Sequence, residues 1–158
     1  MPTLYRRKEA TLYGPEPGTA VFLWTRSLLT GHDSIDRQHQ AIYTTLQGVA
    51  NLLELPEVHI GYWLGMVVRA LEEYVLTHFA DEEQLMLDVG YPEYSQHALL
   101  HMQLTEDLKK HQAVIKRLTT QAEQFVEARS LLQFLNNWLN EHILEQDVRL
   151  VHFIHQKT

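Results

Sequence analysis

The chain has 158 residues, a 45% hydrophobic fraction, no cysteine and a formal net charge of −7. A chain of this length can bury a stable core without disulfides or a structural metal, and it is most simply one domain. The negative charge argues against nucleic-acid or membrane partners, and the lack of cysteine excludes disulfides, zinc fingers and iron–sulfur clusters. These features fit a cytoplasmic protein, which is the location we expect.

The first 30 residues are expected to form an extended arm. Glycine and proline in residues 14–18 disfavour regular structure. Arg6, Arg7 and Lys8 are not followed by an apolar run, which argues against a secretory signal. Residues 21–24 are apolar and are expected to fold the arm back onto the rest of the chain. The sequence therefore predicts an arm over residues 1–30 and a helical bundle over residues 31–158.

Two helices are predicted in the first half of this bundle. The first should begin near Asp33 or Ser34, because either residue is a good N-cap and apolar residues then recur at helical spacing. Leu55-Pro56-Glu57 should end it. The second helix is expected from about residue 57 to 88. Its apolar face contains residues such as Leu71 and Val75.

Two further helices are predicted after a turn at Gly90-Tyr91-Pro92. The third should run from about residue 93 to 118. Thr120-x-x-Glu123 resembles a capping box, and the fourth helix is predicted to include residues 130 to about 153. Four long helices with short connections indicate an all-α fold, an antiparallel up-down-up-down four-helix bundle with an extended N-terminal arm.

Histidine and carboxylate side chains recur in all four predicted helices. Residues four apart share a helix face, but any single pair is weak evidence in a chain with ten histidines. Several inward-facing imidazoles would be costly unless a cation organised them. The candidate ligands are His39, His78, Glu82, His97, His101, His142 and Asp147. Seven such ligands suit two ions of iron, manganese, copper or zinc, with the carboxylates bridging.

The spacing of His142 and Asp147 does not fit a regular helix. Side chains five residues apart diverge by about 140° around an α-helix. A π-bulge or a local kink within residues 143–146 would bring the two side chains together, and π-bulges favour functional sites. The alternatives are a regular helix whose divergent side chains wrap around the metals, or that one of the two residues is not a ligand.

Four motifs in this order resemble the bacterial hemerythrin family over roughly residues 24–151. The motifs are Ile35-Asp36-Arg37-Gln38-His39, His78-Phe79-Ala80-Asp81-Glu82-Glu83, His97-x3-His101 and Trp138-Leu139-x2-His142-Ile143-x3-Asp147. The resemblance implies a non-heme centre of two iron ions with an oxo or hydroxo bridge. It also implies reversible O2 binding for carriage, storage or delivery, rather than an enzyme.

The resemblance further implies a role for each ligand. His97, His101 and His142 would ligate one iron. His39 and His78 would ligate the other iron and leave it an open position for O2 or a small anion. The carboxylates Glu82 and Asp147 would bridge both ions.

Two other functions remain open at this point. One is an input domain that senses O2 or redox state for a larger signalling protein, with a C-terminal partner or output domain for cyclic-dinucleotide or chemotaxis signalling. A peroxide-reactive or nitric-oxide-reactive enzyme is the other alternative. His32 departs from the family, which usually has an apolar residue there; it is either a solvated residue at the helix entrance or part of the pocket mouth. The remaining histidines are expected at the surface: His59, His111, His152 and His155.

Overall fold

The computed structural model describes residues 24–54 and 60–157, and within these ranges the backbone is helical apart from short turns. A 3₁₀ turn (Arg26–Leu28) is followed by α1 (Asp33–Leu53), α2 (Ile60–Val89), α3 (Tyr94–Ile115), α4 (Gln121–His142), a π-helical segment (Ile143–Asp147) and α5 (Val148–Lys157). The last three elements follow one another without a break and form one long fourth helix. Each helix packs against the next along the chain, and α4 also packs against α1. Short connections make these neighbours antiparallel, so the predicted four-helix bundle is confirmed.

The helix ends agree with the sequence prediction at some positions and differ at others. The first helix begins at Asp33, as predicted. Gly90 has φ +64° in the predicted turn after α2, a left-handed conformation that glycine adopts without a steric penalty. The third helix ends at Ile115, three residues before the predicted end. The predicted break at Pro56 and the predicted start of α2 lie outside the described residues.

The fourth helix begins at the capping box that the sequence predicted. The Thr120 hydroxyl accepts a hydrogen bond from the Glu123 backbone N–H at 3.2 Å. The Glu123 carboxylate in turn accepts from the Thr120 backbone N–H at 3.2 Å and from its hydroxyl at 2.7 Å. These reciprocal bonds satisfy amides that otherwise lack partners at a helix start, which explains why the helix extends nine residues upstream of Ser130.

Loss of this cap is expected to destabilise the bundle measurably. Thr120→Ala removes the oxygen that accepts from the helix backbone, and such changes typically cost about 1 kcal/mol of unfolding free energy. Urea titration of the apo protein measures the change. Thr119→Ala, which removes the neighbouring hydroxyl, is the matched control. Equal stability of the Thr120 variant and the wild type would contradict the role of the cap.

The buried apolar side chains form two clusters, and the candidate ligands lie between them. In α1, Ile35 belongs to the smaller cluster and Ile42 to the larger one. In α2, Phe79 belongs to the larger cluster and Met86 to the smaller. In the fourth helix, Ile143 precedes Asp147 and belongs to the larger cluster, and Leu150 follows it and belongs to the smaller. The site is therefore enclosed within the bundle, between two packed apolar regions.

Trp24 marks the described end of the N-terminal arm. Its ring lies 5.6 Å from the ring of Tyr43 and 6.3 Å from that of His39, measured between centroids. Leu28 is buried in the larger cluster. This end of the arm therefore packs against α1, whereas residues 1–23 lie outside the described part of the chain and the division at residue 30 stays a prediction. No helix among the described residues is long and apolar enough to cross a membrane.

Candidate metal centre

The structure brings all seven predicted ligands together in the bundle interior. Each is buried, with 5% or less of its surface exposed. Their donor atoms form two adjacent groups. The first consists of Glu82, His97, His101 and His142, and the second of His39, His78 and Asp147.

The first group contains three imidazoles from two helices. The Nε2 atom of His142 lies 2.9 Å from Nε2 of His97 and 3.1 Å from Nε2 of His101. The Glu82 Oε2 atom from α2 approaches the same point, 3.4 Å from Nε2 of His97 and 3.3 Å from Nε2 of His101. Three nitrogens and one carboxylate oxygen thus converge on one position.

The second group contains the other two imidazoles. Nε2 of His39 lies 3.1 Å from Nε2 of His78. Asp147 Oδ2 is 3.0 Å from Nε2 of His39, while its Oδ1 is 3.0 Å from Nε2 of His142. Glu82 Oε2 lies 4.0 Å from Nε2 of His78. Asp147 therefore faces both groups with different oxygens, and Glu82 reaches towards both with one.

Metal coordination would satisfy the donor atoms of this cluster better than hydrogen bonds among the side chains do. Both carboxylate oxygens of Glu82 and both of Asp147 are buried, and none has a hydrogen-bond partner of good geometry among the described residues. Buried polar atoms without partners are costly. The Nε2 atoms of several imidazoles also lie close together, and they cannot all form hydrogen bonds with one another. Five imidazoles and two carboxylates suit two first-row transition-metal ions, so the residues present fit a two-metal centre.

The π-helical segment places Asp147 beside His142. In this segment the Val148 backbone N–H donates to the Ile143 carbonyl, five residues earlier, instead of to the carbonyl four residues earlier. The wider turn rotates Asp147 to the same side as His142 and buries it completely. The predicted bulge is therefore confirmed, and the alternative of a regular helix is wrong.

Hydrogen bonds outside the cluster orient two of the imidazoles. Gln38 Nε2 donates to Asp81 Oδ2 at 2.7 Å, which leaves Gln38 Oε1 to accept from His78 Nδ1 at 2.9 Å. Glu83 Oε1 accepts from His101 Nδ1 at 2.9 Å. With the proton on Nδ1, Nε2 keeps a lone pair that points into the cluster.

These three outer residues were not identified as functional from the sequence. Each stands next to a ligand within the quoted motifs: Gln38 before His39, and Asp81 and Glu83 on either side of Glu82. That adjacency was the only signal in the sequence.

Aromatic rings close the three-histidine side of the cluster. Phe79 stacks on His101 with 3.8 Å between ring centroids and 5° between planes. Trp138 stacks on His142 at 4.3 Å and 14°. The rings cover one face of each of these two imidazoles and hold them in place.

Burial acts to lower the pKa values of three of the histidines, and the carboxylates of the cluster act to raise them. Burial lowers the pKa of His78 to about 4 and also lowers the pKa of His142. Burial disfavours the charged form of His97 as well, but Asp147 and Glu82 outweigh it and raise the pKa of His97 to about 9. The metal-free protein therefore keeps a proton on His97 at neutral pH, and a metal must displace it.

Iron loading is accordingly expected to release protons. At about pH 7.5, anaerobic binding of Fe²⁺ should release about one proton from His97, because a coordinating imidazole must be neutral. The release of this proton should disappear as pH rises through about 9, because His97 is then already neutral before iron binds. Calorimetric titration in two buffers of different ionisation enthalpy measures the number released. Release that does not change between pH 7.5 and pH 10 would contradict this account.

The other histidines lie outside the cluster. His32 is half-buried at the entrance of α1, with Nδ1 3.4 Å from Ser34 Oγ. His152 and His155 are exposed, as predicted, and His59 lies outside the described residues. His111 is half-buried rather than fully exposed. Its Nδ1 lies 2.6 Å from Glu127 Oε1, and both side chains are half-buried because α3 and α4 pack together there.

Comparison with known proteins agrees with this geometry. The model of the "Hemerythrin HHE cation binding domain" family matches residues 30–153. The chain belongs to the hemerythrin family. This hemerythrin-family chain is 26% identical over 129 residues to a bacteriohemerythrin of Clostridium acetobutylicum, a match that covers 80% of this chain and 96% of the relative. It is 30% identical to a bacteriohemerythrin of Stenotrophomonas maltophilia, with 81% and 78% covered.

Two further matches are more distant in sequence. A myohemerythrin of Theromyzon tessulatum is 22% identical over 135 residues, which cover 85% of this chain and 92% of the relative. The solved structure of a wild-type hemerythrin superposes with a TM-score of 0.70 at 21% identity and covers 84% of this chain and 96% of that one. These four relatives all bear hemerythrin names.

Proposed function

We propose that this hemerythrin holds two iron ions and binds O2 reversibly. One observation carries the proposal: the carboxylates of Glu82 and Asp147 lie between a group of three imidazoles and a group of two. In the proposed centre His97, His101 and His142 would hold one iron, and His39 and His78 would hold the other. Glu82 and Asp147 would supply carboxylate oxygens to both ions, and a solvent-derived oxo or hydroxo group would complete the set.

The unequal number of histidines supports a position for O2 at the ion proposed to be held by His39 and His78. Both ions would share the same bridging groups, so the ion held by His39 and His78 has one protein donor fewer than its neighbour. This is where O2, or a small anion that competes with it, is proposed to enter. When bound, the iron pair supplies the electrons for reversible O2 binding.

The donor set favours binding over activation of O2. Ferritin-like di-iron sites use four carboxylates and two histidines, whereas this cluster has two carboxylates and five histidines. Fewer anionic ligands stabilise high-valent iron less, which favours mild and reversible chemistry. Burial of the donors, with Phe79 and Trp138 stacked over two of them, limits the access of water.

The biological use of O2 binding separates into testable alternatives. Carriage, storage or delivery requires a complex that survives many cycles. A sensing domain for a larger signalling protein would tolerate rapid autoxidation, and an enzyme would turn over peroxide or nitric oxide. The cytoplasmic location and a C-terminal output partner stay predictions.

Oxygen uptake by the reduced, iron-loaded protein tests the proposal. We expect two irons per chain and one O2 taken up per iron pair, and degassing should return the O2. A small anion such as azide should compete with O2 for the same position. Uptake that is continuous and cannot be reversed would indicate an enzyme instead. Iron content of one ion or fewer per chain would contradict the two-iron centre.

A further inference from the structure

The outward face of α2 carries a regular stripe that the bundle does not use. Its positions alternate four and three residues apart, and all six side chains are exposed. The α2 stripe consists of Tyr62, Met66, Arg69, Glu73, Leu76 and Ala80. Three of these are large apolar side chains with high exposure: 69% for Tyr62, 53% for Met66 and 45% for Leu76.

This spacing is typical of a helix that pairs with another helix. A repeat of four and three residues averages 3.5 per turn, which is the period of a coiled-coil contact line. The opposite face of α2 already packs in the bundle through residues such as Leu64, Leu71 and Val75. The α2 stripe is therefore a second, partly apolar line on the same helix, turned away from its own bundle.

The order of residues in the α2 stripe is self-complementary. We propose that it binds the same stripe of a second copy of this chain, with the two α2 helices antiparallel about a two-fold axis at the level of Leu71. This arrangement sets Tyr62 opposite Ala80 of the partner subunit, so a large side chain meets a small one. It also sets Met66 opposite Leu76 of the partner subunit.

The charges at the middle of the stripe select this partner and this direction. Antiparallel pairing places Arg69 opposite Glu73 of the partner subunit, and the two-fold axis repeats the contact. Parallel pairing would place like charges side by side, which is unfavourable. Among the described residues neither Arg69 nor Glu73 forms an ion pair within its own chain. The net charge of −7 opposes non-specific association, so a self-complementary stripe is the feature that brings two copies together.

Sedimentation of the iron-loaded full chain over a range of concentrations tests the apolar part of the contact. The wild type should dimerise reversibly. Met66→Glu should raise the dissociation constant at least about tenfold, because it places a charge at the contact. Met102→Glu is the matched control, since Met102 lies on α3 with 52% exposure against 53% for Met66. Equal weakening by both variants, or a wild type that remains monomeric at all concentrations, would overturn the proposal.

Charge reversal tests the partner and the direction. Arg69→Glu and Glu73→Arg should each weaken the homodimer, because like charges then face each other. An equimolar mixture of the two variants should dimerise again, since one chain now carries two acids in the stripe and the other two bases. The restored species should contain one copy of each variant by native mass spectrometry. If the α2 stripe instead bound residues 1–23 of its own chain or a different protein, mixing would restore nothing, and that result would overturn the proposal.

Discussion

His101→Ala is expected to lower the iron content of the protein, whereas His111→Ala should leave it unchanged. Both histidines lie on α3, and each contacts a glutamate through Nδ1: Glu83 for His101 and Glu127 for His111. They differ in Nε2, because only that of His101 enters the cluster, 3.1 Å from Nε2 of His142. Loss of this ligand should reduce bound iron from two ions per chain to about one or fewer.

This pair of variants separates coordination from simple loss of an ion pair. Each substitution removes one histidine and one contact with a carboxylate, so any general cost to stability appears in both proteins. Metal analysis after equilibration with excess Fe²⁺ and removal of free iron gives the result. Equal iron content in the two variants would remove His101 from the ligand set.

Glu82→Gln is expected to weaken the binding of both irons together. The amide keeps the shape of the side chain but loses the negative charge that two cations would share. The Glu82 carboxyl is buried among His101, His97 and His78; although burial and Asp147 raise its pKa, those histidines lower it to about 2. The wild-type side chain is therefore ionised at any pH at which the histidines are neutral, and the charge is available to the metals.

Glu83→Gln is the control variant, and its iron binding should be weakened less than that of Glu82→Gln. Its amide oxygen still accepts the hydrogen bond from His101 Nδ1, and changes outside the ligand shell typically weaken metal affinity about tenfold or more. The Glu83 variant should therefore still take up two irons at saturation. The Glu82 variant should fill neither position at the same iron concentration. Clean loss of a single iron from Glu82→Gln would show that Glu82 is a terminal ligand and not a bridge.

The positions of the seven candidate ligands could be predicted because helical periodicity converts spacing along the chain into direction. His39 lies between Ile35 and Ile42 in the sequence, and both are buried in the structure. The irregular spacing of His142 and Asp147 was informative for the same reason. It fits one site only if the helix widens, and the structure has a π-helical segment there.

Features that depend on the packing of different helices could not be predicted. The hydrogen bond from His78 to Gln38 joins residues 40 positions apart and requires the register of α1 against α2. The contact between His111 and Glu127 depends on how α4 lies against α3. The end of α3 at Ile115 has no glycine or proline to mark it, so periodicity alone placed it three residues too late.

The optical spectrum of the iron-loaded protein through a cycle of reduction, aeration and degassing tests the central proposal most directly. The reduced protein should be nearly colourless, because ferrous ions with imidazole and carboxylate ligands absorb weakly in the visible range. Aeration should produce a new visible band at once, and degassing should remove it and restore the starting spectrum. A band that persists after degassing, or a spectrum that aeration does not change, would contradict reversible O2 binding at this centre.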